Sequence, residues 1–306
     1  MLYNFKPWIL ASRPKTLFAS ISPVLIGLSI SFYIFNDIEI IVGFVTLITA
    51  IMLQIGSNLA NDAYDFLKGA DNSIDRTGPP RMAQQGVLKV NLIINVMYTI
   101  FILCVIMGYY LALIGGWPIV IIGLASIFFA IIYTASRFAL AYNGLGDLFV
   151  LLFFGLIPTA GSIYLQAQAL NNIDLFFKNY FLILISSISI GAINTAILVI
   201  NNLRDYSSDK KNSKNTLVVF FGTKFACYEY AFLLFINLVS VITIFIITKN
   251  FWCVPFVFLN TIISYNLINN IFNFENFDLN KLLEKTAKYA FLNALFFCFS
   301  VYLESL

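Results

Sequence analysis

Histidine is absent from this chain, and charged residues are scarce. Among 306 residues there is no His, and Asp, Glu, Lys and Arg together make up 11%, whereas soluble domains carry about 25%. The lack of His excludes His-ligated metals, haem held through His, and the Ser–His–Asp and Cys–His mechanisms of nucleophilic catalysis. The low charge argues against a protein that is surrounded by water on all sides.

Cysteine and positive charge are also limited. The four cysteines are far apart and form no C-x-x-C pair, so neither a disulfide framework nor a thiolate metal site is expected. The formal net charge is only +3, and no basic stretch alternates with aromatic residues as a nucleic-acid groove requires. We therefore predict no nucleic-acid partner.

Apolar residues dominate the chain and indicate that membrane lipid surrounds it. They make up 60% of the residues, and the mean hydropathy is +0.88. A helix that spans a bilayer needs about 20 mainly apolar residues, and the first apolar run is too long to be the core of a cleavable signal peptide. We predict one all-α integral membrane domain over residues 1–306, with nine transmembrane helices around a central cavity. The nine segments are 16–35, 40–60, 90–113, 117–135, 147–168, 179–200, 228–248, 252–271 and 287–304.

The distribution of positive charge predicts the orientation of these helices. If the N-terminus is cytoplasmic and the loops alternate, all of the 18 basic residues except Lys178 and Lys249 fall on the cytoplasmic side. Loops with an excess of Lys and Arg stay in the cytoplasm. We predict a protein of the inner membrane with a cytoplasmic N-terminus, an external C-terminus and a site that opens to the cytoplasm.

The first polar loop, at 61–86, follows the second predicted span. Asn58, Asn61, Asp62 and Asp65 are spaced so that a helix places them on one face. Two carboxylates on one helical face repel each other, and a bound cation relieves that cost at a membrane boundary. Mg²⁺ prefers oxygen ligands and commonly bridges carboxylates to substrate phosphates. The pattern therefore predicts a magnesium site.

The same loop continues with Asp71, Asp75, Arg76 and Arg81 in a segment that its Gly and Pro residues should keep from being helical. These residues add carboxylates for a metal and cations for phosphate.

The second polar loop, at 201–217, repeats this chemistry. Asn202, Asp205 and Asp209 again share one helical face. The neighbouring cations are Arg204, Lys210 and Lys214. Carboxylates that hold a metal, together with Arg and Lys donors, are what a diphosphate leaving group requires.

Other interpretations stay open at several positions. A single charged loop beside a membrane is usually only solvated, and it is the recurrence of helix-phased Asp residues that favours function. Asp147 is either a helix N-cap or a site residue, and Tyr133 either faces diphosphate or belongs to an aromatic belt. Arg13 is either a positive membrane anchor or a ligand of a substrate carboxylate. Because Pro14 follows it, we expect Arg13 to end a non-helical entry segment.

At these residues the chain resembles the UbiA-type superfamily of membrane prenyltransferases. The superfamily's N-D-x-x-D motif matches residues 61–65, and its D-x-x-x-D motif matches residues 205–209. The chain is most similar to the branch that prenylates 1,4-dihydroxy-2-naphthoate in menaquinone synthesis, through A-S-R-P-K-T at 11–16, Y-N-G-L-G-D at 142–147 and N-T-L-V-V at 215–219. Two positions depart from that branch: at Asn143 relatives often carry a basic residue, and at Ser213 they often carry Gly.

The resemblance implies a polyprenyl diphosphate donor, a 1,4-dihydroxy-2-naphthoate acceptor and Mg²⁺. It implies that four aspartates are catalytic and hold the metal, namely Asp62, Asp65, Asp205 and Asp209. The residues that it implies for substrate binding are Arg13, Asn58, Asn61, Asp71, Asp75, Arg76, Arg81, Tyr133, Asn202, Arg204, Lys210 and Lys214. Two alternatives remain: prenylation of another aromatic acceptor such as 4-hydroxybenzoate or homogentisate, and a cation-coupled transporter whose carboxylates bind ions.

Overall fold

The computed structural model describes residues 5–67, 81–135, 143–212 and 214–305, without the side chains of 133–135. Within these ranges the regular structure is helical, apart from one isolated bridge between Asn143 and Asn215. The helices are α1 (Lys6–Ser12), α2 (Pro14–Phe35), α3 (Ile40–Leu67), α4 (Val90–Gly115), α5 (Trp117–Ala135), α6 (Gly146–Ala169, with a π turn at Leu152–Leu156), α7 (Ile173–Lys178), α8 (Tyr180–Arg204), α9 (Tyr206–Lys211), α10 (Leu217–Phe221), α11 (Thr223–Thr248), α12 (Cys253–Phe272) and α13 (Leu279–Glu304).

Each predicted span coincides with one of these helices. By length and composition, seven helices in the described part of the chain can cross a membrane: α2, α3, α4, α6, α8, α11 and α13. The apolar part of α5 is shorter, over Trp117–Ile132, and amide side chains interrupt α12. The membrane class and all-helical fold are thus confirmed, while the count of nine spans stays a prediction.

Several helices extend beyond the predicted spans into charged sequence. Helix α3 continues to Leu67, α11 begins at Thr223 and α13 begins at Leu279. The Asp278 carboxylate caps α13 by accepting a hydrogen bond from the backbone N–H of Asn280 at 2.9 Å. The ends of these helices therefore lie outside the apolar zone that hydropathy detects.

Helix α8 is the central element of the bundle and packs against α2, α6, α11 and α13. Its most apolar stretch is 72% buried, more than that of any other spanning candidate described. Where α6 crosses α8, a Cβ added at Gly155 would overlap the backbone of Gly191. In lipid, helices associate through close packing rather than the hydrophobic effect, and small residues permit that approach.

One amide compensates for two prolines inside the membrane helices. Proline has no N–H, so the carbonyl four residues before it loses its helical partner. For Pro23 in α2 that carbonyl belongs to Ala19, and for Pro158 in α6 it belongs to Phe154. The Nδ2 of Asn194 on α8 donates to both oxygens, at 3.0 Å and 2.7 Å. The amide thus fixes α8 against both proline-containing helices.

A buried network of hydrogen bonds connects helices α8, α11, α12 and α13. Ser189 donates to Oδ1 of Asn237 at 2.6 Å, and Asn237 donates to the hydroxyl of Tyr289 at 2.8 Å. That hydroxyl lies 3.0 Å from the hydroxyl of Ser264. Interhelical hydrogen bonds of this kind hold α8, α11, α12 and α13 in register.

Candidate active site

Asn58 joins helix α3 to the start of α2. Its side chain is 3% exposed, and its Nδ2 donates to the carbonyl of Ser12 at 2.8 Å and to Oγ1 of Thr16 at 2.9 Å. Arg13 lies between α1 and α2 with a left-handed φ of 50°. The expectation that Arg13 ends a non-helical segment was wrong, because the seven-residue helix α1 precedes it. The left-handed turn at Arg13 lets α2 begin directly at Pro14.

Asp62 holds the segment around Met82 and Ala83 against helix α3. The residue is 2% exposed, and its two carboxylate oxygens accept hydrogen bonds from the backbone N–H groups of Met82 and Ala83 at 3.0 Å and 3.3 Å. Asp62 therefore positions the segment that carries Arg81, whichever ligand the site takes.

Asp65 and Arg81 form an ion pair one turn beyond Asp62. The Arg81 guanidinium lies 2.5 Å from the Asp65 carboxylate, with side chains only 11% and 13% exposed, and it also donates to the backbone carbonyl of Asn61 at 3.2 Å. Oδ1 of Asn61 and Oδ1 of Asp65 are buried with no hydrogen-bond partner among the described residues. A buried polar atom without a partner is costly, so these two oxygens are suited to a ligand.

The second motif begins at the end of α8. Arg204 donates to both oxygens of Asp205, at 2.8 Å and 2.7 Å. The same guanidinium contacts Oδ1 of Asn201 at 2.7 Å and Oδ1 of Asn280, on α13, at 3.2 Å. The bidentate geometry holds the Asp205 carboxylate in one orientation.

Asp209, on the short helix α9, completes the second motif. It is 6% exposed, and Nζ of Lys214 lies 3.1 Å from one of its oxygens. Burial raises the pKa of Asp209 above its usual value, and the charge of Lys214 offsets part of that rise. Asn202 is buried beside these residues, whereas the exposed Lys210 places its ammonium 5.9 Å from the ring centre of Tyr206.

The two motifs lie at the same end of the bundle. Asn58 fixes the first motif to the start of α2, and Lys15, in the first turn of α2, contacts Glu284 of α13 at 2.6 Å. Arg204 fixes the second motif to Asn280, also in the first turns of α13. The starts of α2 and α13 therefore link the two motifs through side-chain contacts at this end of the bundle.

A cavity of about 500 Å³ leads from the first motif into the bundle between α2, α3, α4, α5 and α6. Asn61 and Gln54 line it near the motif. Its wall includes a cluster of aromatic rings in which the ring centre of Phe129 lies 4.9 Å from that of Phe149 and 5.3 Å from that of Phe153. The cavity thus runs from polar side chains beside the first motif into an apolar interior.

Several predicted residues receive no structural account. Asp71, Asp75 and Arg76 lie outside the described residues, as does the side chain of Tyr133, so their roles stay predictions.

Asp147 lies in the first turn of α6, after the N-cap at Leu145, which contradicts the N-cap interpretation.

Sequence reasoning also missed four polar partners. Gln54 extends the Asn58 stripe by one helical turn, and its Nε2 lies 3.3 Å from Oδ1 of Asn58. Thr16 and Asn201 stand beside the motifs but were not singled out. Asn280 is far from both motifs in the chain, so no sequence signal connects it with Arg204.

The described residues were compared with the donors that Mg²⁺ requires. They contain no group of three or more Asp, Glu or Cys side chains that alone could hold a metal. The unpartnered oxygens of Asn61 and Asp65 are hard donors of the kind that Mg²⁺ takes, and Mg²⁺ usually completes its shell with water and substrate phosphate. The donor set therefore fits Mg²⁺ bound together with a phosphate ligand.

Comparison with known families decides the class of protein. A sequence profile described as the UbiA prenyltransferase family matches residues 20–295, which include both Asp motifs and the whole cavity. The chain belongs to the UbiA prenyltransferase family. The match confirms the family, the fold class and the prenyltransferase activity predicted from the motifs.

Two bacterial relatives are named 1,4-dihydroxy-2-naphthoate octaprenyltransferase. The Escherichia coli K12 protein is 37% identical over 238 residues, which cover 76% of this chain and 74% of the relative. The Haemophilus influenzae protein is 34% identical over 229 residues, which cover 72% and 70%.

A solved UbiA homologue from Archaeoglobus fulgidus, bound to GPP and Mg²⁺, covers 98% of this chain and 100% of its own, with a TM-score of 0.66 and 13% identity. At that identity the likeness supports the fold alone.

Proposed function

We propose that this protein transfers a polyprenyl chain from its diphosphate to 1,4-dihydroxy-2-naphthoate, with release of CO₂ and diphosphate, to give demethylmenaquinol. The names of the bacterial relatives support the acceptor. The reaction takes place within one domain over residues 1–306, at the cytoplasmic face of the inner membrane. The donor and the product remain in membrane lipid.

One observation carries this proposal: three cations paired with motif carboxylates lie at one end of the bundle, and the apolar cavity reaches that end at Asn61. The pairs are Arg81 with Asp65, Arg204 with Asp205 and Lys214 with Asp209. A polyprenyl diphosphate has the same division, with a highly charged head and an apolar tail. The cations donate to diphosphate oxygens and stabilise the negative charge that grows on the leaving group. Arg76 and Lys210 are further candidates for this role.

Mg²⁺ is the cofactor that fits these carboxylates. The residues that would hold it are Asn61, Asp62, Asp65, Asp205 and Asp209, with Asp71 and Asp75 as further ligands. When bound, the ion would neutralise part of the diphosphate charge. Asn58 positions the first motif through its hydrogen bonds to Ser12 and Thr16. The segment that carries Arg81 is held by the hydrogen bonds of Met82 and Ala83 to Asp62, and Asn202 is buried at the end of α8. The chain belongs to the UbiA family, and a UbiA homologue from A. fulgidus has been solved with GPP and Mg²⁺ bound, which agrees with this choice.

The apolar interior of the cavity suits the reacting carbon. As the allylic C–O bond breaks, positive charge develops on the prenyl chain, and the faces of Phe129, Phe149 and Phe153 can stabilise it. Tyr133 is a further candidate for that role. The ring carbon that bears the carboxylate then forms the new C–C bond. Loss of CO₂ returns an electron pair to the ring, and diphosphate leaves.

Arg13 is the candidate ligand of the acceptor carboxylate. It lies at the start of α2, on the same side of the bundle as Asn58, and a guanidinium binds a carboxylate through two parallel hydrogen bonds. Such a grip orients the carboxylated ring carbon toward the cavity. Proton transfer falls to a carboxylate, a tyrosine, water or the leaving diphosphate, because the chain contains no His.

Product analysis tests the acceptor. Purified protein in lipid nanodiscs is incubated with Mg²⁺, labelled octaprenyl diphosphate and one of three acceptors: 1,4-dihydroxy-2-naphthoate, 4-hydroxybenzoate or homogentisate. We expect a prenylated product and CO₂ from the naphthoate alone. Prenylation of either other acceptor at a comparable rate would overturn the assignment. A strict requirement for an ion gradient would favour a transporter.

A further inference from the structure

Three glycines in the deep half of the cavity keep open space that helix packing does not explain. Gly108 on α4, Gly123 on α5 and Gly161 on α6 all line the cavity. A Cβ built on any of them would meet no atom of the described residues within 4 Å beyond its own helix and chain neighbours. By contrast, a Cβ on Gly27 would lie 2.8 Å from Ser162 of the neighbouring helix. Glycine is unfavourable inside a helix, so open space at three positions indicates something that must pass there.

The three glycines, called the glycine ring below, lie at one level of the bundle. At about 1.5 Å per residue, each is about 9 to 12 Å from the end of its helix that is opposite the Asp motifs. The hydroxyl of Tyr164 on α6 donates to the carbonyl of Gly115 at 3.0 Å and joins these far ends. The three positions without side chains therefore lie at a similar depth in the cavity.

The depth of this level follows from the contact between α3 and α4. Gly56 of α3 packs directly on the ring of Phe101 of α4. The helical rise from Asp62 to Gly56, added to that from Phe101 to Gly108, places the glycine ring about 20 Å from the first motif. An extended isoprene unit spans about 5 Å, since it contributes four carbon–carbon bonds of about 1.5 Å. The ring thus lies at about the fourth unit of a chain whose diphosphate is at the motif.

The cavity wall at and around this level presents little that a polar molecule could bind. The hydroxyls of Thr46, Thr49, Ser126 and Ser162 each donate to a carbonyl of their own helix, and Ile119 and Leu165 complete the deep wall. Near the mouth, Gln54 is 9% exposed and its Oε1 has no partner among the described residues. The polarity gradient matches a ligand with a polar head and an extended apolar tail.

We propose that the glycine ring is the passage that admits prenyl chains longer than about four isoprene units. This inference rests on the proposed function and specifies the donor that the same site accepts. Shorter chains end before the ring and do not contact it. Longer chains pass between the three glycines, so side chains placed there exclude them while leaving the reacting end undisturbed.

The test is the Gly108→Phe variant, compared with Ile106→Phe on the same helix. Ile106 is 61% exposed on the outside of the bundle, so its variant adds an aromatic ring without entering the cavity. The kcat/KM is measured with farnesyl diphosphate, which has three units, and with octaprenyl diphosphate, which has eight. We expect Gly108→Phe to lower the octaprenyl value about tenfold or more, with the farnesyl value unchanged and with Ile106→Phe unchanged for both. Gly161→Leu, on another helix, provides a second variant if Gly108→Phe fails to insert.

The outcomes separate the two proposals. Equal losses for both donors, or no loss for either, in folded Gly108→Phe and Gly161→Leu would overturn the role of the glycine ring. If the unmodified protein transfers neither donor to any acceptor, the proposed function itself fails. Retained farnesyl transfer with loss of octaprenyl transfer supports both.

Discussion

Replacement of Asn194 by Leu should destabilise the bundle by removing one donor from two carbonyls. Asn194 is 2% exposed, and Leu has a similar volume, so the change tests hydrogen bonding rather than packing. In membrane proteins an interhelical hydrogen bond contributes about 0.6 kcal/mol on average and up to about 1.7 kcal/mol. Two bonds therefore predict a loss of about 1 to 3 kcal/mol in the free energy of unfolding.

The two prolines allow each of the two Asn194 hydrogen bonds to be tested separately. In Pro23→Ala the new backbone N–H can donate to the Ala19 carbonyl, so that oxygen no longer depends on Asn194. The cost of Asn194→Leu should then fall by about half in the Pro23→Ala background, which is the signature of direct coupling. Pro158→Ala should act in the same way through Phe154.

The assay can use the chain's own cysteines. Cys104, Cys227 and Cys253 are buried and free, so a thiol-reactive fluorescent dye reports unfolding in detergent as the temperature rises. Asn293→Leu is the matched control, because Asn293 is fully buried in α13 and its side chain has no hydrogen-bond partner among the described residues. We expect Asn293→Leu to leave the unfolding temperature unchanged or higher. An Asn194→Leu variant as stable as the unmodified protein, or a loss of stability that Pro23→Ala does not reduce, would contradict the role of Asn194 as a shared donor.

Three further predictions concern the site and the topology. Asp65→Asn and Asp205→Asn should each nearly abolish turnover without preventing membrane insertion, since each removes a charge that balances Mg²⁺ and leaves an arginine without its partner. If both variants retain most of the activity, a site built from two motifs is contradicted. Arg13→Lys should raise the acceptor KM about ten- to a hundredfold and leave the donor KM little changed, because a charged hydrogen bond contributes about 1.5–3 kcal/mol. Steady-state kinetics with each substrate varied tests this, and an unchanged acceptor KM would mean that Arg13 acts only as a membrane anchor. A reporter fused after Leu306 should behave as periplasmic, and a cytoplasmic signal there would eliminate the odd number of spans.

Elements that depend on local pattern could be predicted from the amino-acid sequence alone. The helices that can span the membrane follow from apolar length, and the stripe of Asn58, Asp62 and Asp65 follows from helical spacing. The single helical face predicted for Asn202, Asp205 and Asp209 was wrong, because α8 ends at Arg204 and Asp209 lies on the separate helix α9. Helix ends were less predictable, because Leu279–Glu304 continues through charged residues that resemble a loop.

Contacts between distant segments were beyond prediction for a physical reason. Asn194 gave no motif signal, since its role depends on which carbonyls Pro23 and Pro158 leave without partners on two other helices. The backbone donors of Met82 and Ala83 to Asp62, and the contact of Asn280 with Arg204, likewise depend on packing. The open space at the glycine ring is a property of three helices together.

If the two Asp motifs form one diphosphate site with Mg²⁺, isothermal titration calorimetry should detect the binding of inorganic pyrophosphate to the purified protein. Binding should be saturable with Mg²⁺ and weaker by about an order of magnitude or more when Mg²⁺ is removed. It should be lost in both Asp65→Asn and Asp205→Asn, since charged hydrogen bonds and the charge of Mg²⁺ would together contribute on the order of several kcal/mol. Binding that needs no divalent ion, or that survives unchanged when either motif is altered, would contradict a shared site.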